Sequence, residues 1–246
     1  MRLMDSRRIL WLSLALVGAA GCAPSIPRYP WTSDDAALAE LARRAEMVQT
    51  VEASCSIVLR DEEGRHITLD GAMAAKLPDH FRLRAWKLQH PAFDLTAGPD
   101  GIWIDAPSTG QEIDQAALGQ SIRQAWSMCT GQFFHQHVTM DKPRSSGTQL
   151  VFQEATAAAG DHVTTRCIVD RNTLTPQRYE AIGSDGAVHY AIGLEKYRQF
   201  GEIIWPQKIT FESGARRLSI DIEDVDFNGQ LNPQAFTPPS RAVRLP

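Results

Sequence analysis

Apolar and polar residues alternate along most of the chain with a period of two, which is typical of antiparallel strands that bury one face. In the first such run, Val51, Ala53, Cys55 and Ile57 alternate with the polar residues between them. Sequences rich in Gly, Asp and Pro separate the runs and indicate turns. The pattern predicts about ten strands, over residues 51–59, 67–73, 81–86, 102–105, 148–153, 162–170, 177–182, 188–197, 204–212 and 216–227.

Two segments follow a helical period instead. At the start of the first, over residues 32–35, a hydroxyl side chain can cap orphan amides, and Asp34 and Asp35 favour the positive end of the helix dipole. Apolar residues then recur three or four positions apart at Leu38, Leu41, Ala45 and Val48. The sequence therefore predicts helices over residues 34–49 and 114–128, the second with an apolar face of Ala117, Leu118, Ile122, Ala125 and Trp126.

The first 21 residues have the composition of an export signal. A basic segment over 1–8 precedes an uncharged run over 9–20 that is too short to cross a bilayer core of roughly 30 Å. Small residues then precede Cys22, which resembles a bacterial lipobox, although Leu is usual where Ala19 stands. We therefore expect a lipoprotein signal peptide over 1–21.

Acylation of Cys22 would anchor the protein, and the proline-rich segment over 22–32 would form a stiff tether to the domain. An ordinary cleaved signal with an incidental Cys22 is the alternative. Residues 6–8 also resemble part of a twin-arginine signal, but the match goes no further.

Composition and charge narrow the class of protein. The chain is 43% hydrophobic and 22% charged, as is ordinary for a soluble globular domain, and its formal charge of −4 gives no sign of a nucleic-acid surface. Residues 1–21 contain three arginines and one aspartate, so the exported chain would carry −6. Its membrane attachment would then rest on the acyl chains at Cys22 and not on a basic patch.

Four short motifs occur in an order that resembles the LolA/LolB family of bacterial lipoprotein carriers and receptors. Residues 76–83 resemble the family's R-P-x-x-F/Y-R-L strand, and residues 100–103 resemble its D-G turn. Residues 169–178 resemble its D-x-x-T-x-x-P hairpin, and residues 226–236 its terminal N-x-x-L-x-x-x-x-F. Leu77 stands where the carriers have an arginine that helps to close their lid helices, so that mechanism is not carried over.

The resemblance implies an α+β, mainly β fold over residues 33–246, in which a curved antiparallel sheet forms a half-open β-barrel with about two covering helices. It implies a cell-envelope lipoprotein, on the outer membrane and facing the periplasm, that binds or transfers lipid or lipoprotein acyl chains without a cofactor. The alternative is a ligand-free interaction or sensor module, in which the inward side chains form a packed core. Those inward candidates are Ile57, Leu69, Met73, Phe81, Leu83, Phe152, Tyr190, Ile192, Trp205, Phe211 and Ile220.

Catalytic chemistry has little support in the sequence. No nucleophile elbow, zinc-protease or nucleotide-binding motif occurs, so we expect no enzymatic activity and no metal. His135 and His137 would share one face of a strand, but no further ligand is evident, and surface histidines are favoured. An enzyme would be expected to use the polar segment over 114–147, with Asp141 and Lys142.

Three single disulfide pairings remain open among Cys55, Cys129 and Cys167.

Overall fold

The computed structural model describes residues 26–106, 134, 144–158 and 161–245. The predicted helix over 114–128 lies outside these ranges, as do Cys22, Cys129, His135, His137, Asp141 and Lys142. The described elements are α1 (Asp34–Glu46), β1 (Thr50–Arg60), β2 (His66–Lys76), β3 (His80–Lys87), β4 (His90–Gly98), β5 (Gly101–Asp105), β6 (Arg144–Ser146), β7 (Gln149–Ala158), β8 (Asp161–Asp170), β9 (Thr175–Ile182), β10 (Val188–Phe200), β11 (Ile203–Ser213), β12 (Arg216–Phe227), a 3-10 helix (Pro233–Phe236) and β13 (Val243–Arg244).

The described strands all belong to one antiparallel sheet whose order is β13-β5-β4-β3-β2-β1-β12-β11-β10-β9-β8-β7-β6. Most neighbours are consecutive in sequence, whereas the pairs β1 with β12 and β5 with β13 join distant parts of the chain. The order has two ends, at β13 and β6, so the sheet is open and not a closed barrel. The mainly β, open antiparallel architecture is confirmed.

The prediction of about ten strands was too low, because it omitted β4 and the short edge strands β6 and β13. The turn before β4 consists of Leu88 and Gln89, with φ of 48° and 70°. A two-residue hairpin with both φ values positive is usually signalled by Asn-Gly. Neither residue gives that signal, so the sequence does not mark the strand that contains Phe93 and Leu95.

Helix α1 begins where the sequence predicts, with the Ser33 side chain accepting a hydrogen bond from the backbone N–H of Ala36 (3.1 Å). It ends at Glu46, three residues before the predicted end. Glu40 accepts hydrogen bonds from Arg43 and Arg44, and these guanidiniums lower the pKa of its carboxyl from 4.5 to about 2.

Two side chains fix α1 across one end of the sheet. Arg44 donates from Nη1 to the carbonyl oxygens of Thr173 (2.8 Å) and Leu174 (3.1 Å), in the turn between β8 and β9. Asn228, just after β12, accepts from the N–H of Gln49 (2.8 Å) and donates to the carbonyl of Met47 (2.9 Å). We call this the α1 end of the sheet; the turns over 61–65, 88–89, 183–187 and 214–215 lie at the far end.

The chain after β12 runs from the middle of the sheet to the β5 edge. Its 3-10 helix lies against β3 and β4, where Arg82 donates to the carbonyl of Ala235 (2.8 Å). The chain then adds β13 to the edge of β5, pairing Val243 with Ile104. Leu245 is buried beside that edge. This tail therefore shields one of the two sheet edges.

Candidate functional site

One face of the sheet carries nearly all the buried apolar side chains, and we call it the inner face. Paired residues point to the same side, so the register extends one row of side chains across eight strands: Phe152, Cys167, Tyr179, Ile192, Phe211, Leu218, Leu59 and Ile67. A second row contains Leu194, Ile209, Ile220, Ile57 and Leu69. Together the rows form one continuous apolar surface.

The structure brings the eleven predicted lining residues together on this face. Ten of them are at most 7% exposed. Tyr190 is the exception: it is half-buried and packs on the edge of the same cluster. Their grouping follows from the alternation that the sequence displays, whereas contact with a ligand stays a prediction.

The two halves of the inner face differ in side-chain size. On β1 to β4, alanine occupies four buried inner positions among large side chains such as Leu69, Met73 and Leu83, namely Ala53, Ala75, Ala85 and Ala97. On β9 to β12 the buried inner positions include small Ala181 but are otherwise occupied by large side chains, namely Tyr179, Ile192, Leu194, Trp205, Ile209, Phe211, Leu218, Ile220 and Ile222. The first half therefore has more small side chains at buried inner positions than the second.

A few polar groups interrupt the apolar surface. The rings of Tyr179 and Tyr190 stack with centroids 6.1 Å apart, and burial raises the pKa of both hydroxyls. On β11, Gln207 lies between the inner residues Trp205 and Ile209, and its Nε2 is buried without a hydrogen-bond partner among the residues that the structure describes. Buried polar atoms of this kind are uncommon in a folded protein.

The two described cysteines are free thiols. Cys55 and Cys167 are both buried on the inner face. Burial raises the pKa of Cys55 to about 12, with a smaller contribution from the nearby carboxylate of Glu223, and burial also raises the pKa of Cys167. Neither thiol takes part in a disulfide, and both behave as small core residues.

Residues from three of the four sequence motifs shape turns or pack against the core. Asp170 accepts hydrogen bonds from the N–H groups of Asn172 and Thr173, both at 2.8 Å, and so shapes the turn between β8 and β9. Gly101, the first residue of β5, adopts a φ of 145° beside the guanidinium of Arg244. Leu77 packs against the core and donates its N–H to the carbonyl of Gln49 (2.9 Å).

The opposite, outer face carries ion pairs. Arg82 donates two hydrogen bonds, of 2.8 and 2.7 Å, to the carboxylate of Asp94. On β9, Glu180 contacts the Nε atoms of Arg166 and Arg178, both at 2.7 Å. Burial alone would raise the pKa of Glu180, but the two guanidiniums outweigh it and lower the pKa.

Several core residues were not among the eleven that the sequence predicted, and three of them show why. Phe93 and Leu95 belong to the unpredicted strand β4, and both are buried. Phe134 is 3% exposed, and its ring centroid lies 5.5 Å from that of Phe152. No local periodicity marks Phe134, so only the folded chain reveals its contact with the inner face.

The described residues hold no group of three or more His, Cys, Asp or Glu side chains placed to bind a metal ion. None of the helices in the described ranges has the length and hydrophobicity needed to cross a bilayer.

No protein-family model matches the chain, and no curated protein matches it by sequence. Similar solved structures include a domain assigned to outer membrane lipoprotein sorting from Vibrio parahaemolyticus, with 13% identity, a TM-score of 0.54, and coverage of 83% of this chain and 97% of that one. A LolA superfamily protein from Nitrosomonas europaea is 12% identical with a TM-score of 0.51, and the match covers 85% of this chain and 99% of that one. A DUF1329 family protein from Desulfovibrio piger is 10% identical with a TM-score of 0.51, and the match covers 82% of this chain and 96% of that one. The chain therefore has a LolA-like fold, as the motifs predicted.

Proposed function

We propose that this protein is a lipid-anchored protein of the bacterial cell envelope that binds or transfers lipid or lipoprotein acyl chains on the inner face of its sheet. The observation that carries the proposal is the continuous apolar inner face, with alanine at four buried positions on β1 to β4. The LolA-like fold of the three solved structures supports it.

Acyl chains suit this surface because burial of apolar area is the dominant favourable term. Each buried CH₂ group contributes about 0.8 kcal/mol, so even part of an acyl chain gives measurable affinity. The unpartnered Nε2 of Gln207 would be a hydrogen-bond donor for an ester or amide carbonyl at the head of such a chain. Binding of this kind needs no cofactor.

The proposed anchor is Cys22, acylated after removal of residues 1–21. Two or three acyl chains make a stable attachment, whereas one alone is marginal. Replacing Cys22 with Ala should therefore release the protein into the soluble fraction. A Cys22→Ala protein that stays wholly with the membranes would contradict the anchor.

Binding is tested by titrating the purified protein with a fluorescent fatty acid, together with native mass spectrometry for a lipid that co-purifies. We expect saturable uptake that unlabelled fatty acid displaces. A protein that carries no lipid and takes up none would contradict the proposal and favour an interaction module with a packed core.

A matched pair of variants locates the ligand. Ala85 lies on the inner face of β3 and is 2% exposed, whereas Ala72 lies on the outer face of β2. If the volume above Ala85 holds a ligand, Ala85→Leu weakens fatty-acid binding and leaves the free energy of unfolding nearly unchanged, while Ala72→Leu changes neither. If the core is solid instead, Ala85→Leu destabilises the fold by about 1–3 kcal/mol.

A further inference from the structure

The segment that precedes α1 is fixed to one end of the sheet. The backbone N–H of Tyr29 donates to the carbonyl of Asn172 (2.5 Å), in the turn between β8 and β9. The guanidinium of Arg171 lies 4.2 Å from the ring centroid of Trp31, and Trp31 packs edge-on against Tyr29 at 6.3 Å. Both aromatic rings also pack against the core. The predicted tether therefore meets the folded domain at Tyr29, at the α1 end.

This contact shortens the free chain between the proposed anchor and the domain. From Cys22 to Tyr29 the fully extended chain spans at most roughly 25 Å. Strand β10, which runs from the far end to the α1 end, has 13 residues and measures roughly 40 Å. The α1 end thus lies within reach of the anchoring membrane, whereas the far end lies beyond the reach of the tether unless the domain tips over.

We propose that the domain stands on its anchoring membrane with the α1 end toward the lipid and the far end directed away from it. The inference rests on the proposed acylation of Cys22. Its partner is the lipid surface, and the contact zone consists of the turns over 77–79, 171–174 and 201–202 with the segment over 27–31. The far-end turns then face whatever delivers or receives a ligand.

Charge does not set this orientation. The exposed side chains of the α1 end have both signs, namely basic Lys76 and Arg28 and acidic Asp79, Asp100 and Glu202. A surface of mixed charge has no strong attraction to anionic lipid, and the screening length in salt is only about 10 Å at 0.1 M. The orientation therefore follows from the length and attachment of the chain, and we expect it to persist at high salt.

Two reporters at opposite ends of β10 test the proposal. The reporters are Glu202→Cys at the α1 end and Ser184→Cys at the far end. Both positions are exposed and lie in turns. Each is made in a Cys129→Ser background, because Cys55 and Cys167 are buried thiols and Cys22 would be acylated. The lipidated full chain is labelled with a donor dye and reconstituted in phosphatidylcholine vesicles that carry an acceptor dye on their headgroups.

We expect energy transfer from position 202 to exceed that from position 184 several-fold, in low and high salt alike. The double variant Trp31→Ala with Arg171→Ala frees the segment and should reduce this ratio, as should a long Gly-Ser insert after Ser25. Arg65→Ala, at the far end, is the matched control and should leave the ratio unchanged.

Equal transfer from the two positions, or greater transfer from position 184, would overturn the orientation while leaving the anchor intact. A ratio that collapses in high salt would show that charge, and not the length and attachment of the chain, orients the domain. Failure of the protein to float with the vesicles would contradict the anchor itself, and the orientation with it, so the two failures are distinguishable.

Discussion

The same strands make the inner and outer faces of the sheet, yet the two faces differ in the burial and the polarity of their side chains. On β3, the inner residue Leu83 is fully buried, and its neighbour Arg84 on the outer face has 61% of its side chain exposed. The inner face is a continuous apolar surface, whereas the outer face is held by ion pairs such as Arg82 with Asp94.

The difference teaches that the two faces stabilise the protein by different means. Burial on the inner face is roughly proportional to apolar area and is insensitive to pH. Ion pairs on the outer face depend on charge state and salt, and exposed ones contribute little. A substitution should therefore have a large, pH-independent effect on the inner face and a small, conditional effect on the outer face.

The largest effect is expected for Leu83→Ala, which leaves a cavity among buried side chains. It should lower the free energy of unfolding by about 2–5 kcal/mol, measured by urea denaturation. Arg84→Ala, one residue away on the outer face, should change it by no more than about 0.5 kcal/mol. Similar losses for the two variants would remove the distinction between the faces.

A pair of glycines sharpens the comparison through added volume. A Cβ on Gly71, on the inner face, would meet Cδ1 of Ile57 at 2.7 Å and Sγ of Cys55 at 2.8 Å. Gly71→Ala should therefore cost about 1–3 kcal/mol. On the outer face, a Cβ on Gly193 meets only ordinary contacts at 3.8 Å, so Gly193→Ala should be neutral or slightly stabilising. If thermal unfolding shows Gly193→Ala to be less stable than Gly71→Ala, the side chains around Gly71 on the inner face can move to accommodate the added methyl group.

Arg82 tests an ion pair of the outer face that is made by two hydrogen bonds. Arg82→Ala leaves Asp94, which is 14% exposed, without its main partner, and it also frees the carbonyl of Ala235. We expect a loss of about 1 kcal/mol or slightly more, with faster proteolysis of the tail after β12. Arg65→Ala, whose side chain is 69% exposed, should leave both readouts unchanged.

The smallest effect is the pH dependence of Glu40. Because Arg43 and Arg44 lower the pKa of Glu40 to about 2 in the folded protein, its contribution to stability is complete above pH 4.5 and is lost as the pH falls toward 2. Glu40→Gln should therefore be less stable than the parent at neutral pH, with the difference vanishing near pH 2. A constant difference across that range, in acid-unfolding curves, would show that the carboxylate is not the cause.

Much of the fold follows from the sequence because alternation and turn residues are local signals. From neighbouring residues alone, Val51 to Leu59 could be assigned to a strand with a buried side, and residues 32–35 to a helix N-terminus. Strand β4 could not, since its turn uses Leu88 and Gln89 at positive φ. Phe134 could not either, because its contact with Phe152 joins residues whose neighbours carry no shared pattern. Whether the inner face accommodates a ligand depends on packing across strands, which no periodicity reveals.

The central claim is that the inner face receives an acyl chain, and photo-crosslinking tests it most directly. The full-length protein is incubated with a fatty acid bearing a diazirine near its methyl end, irradiated, and digested for mass spectrometry. We expect adducts on inner residues such as Met73, Leu83 and Phe211 that excess unlabelled fatty acid abolishes. Adducts confined to outer residues such as Trp86, or no competable adduct at all, would contradict the claim.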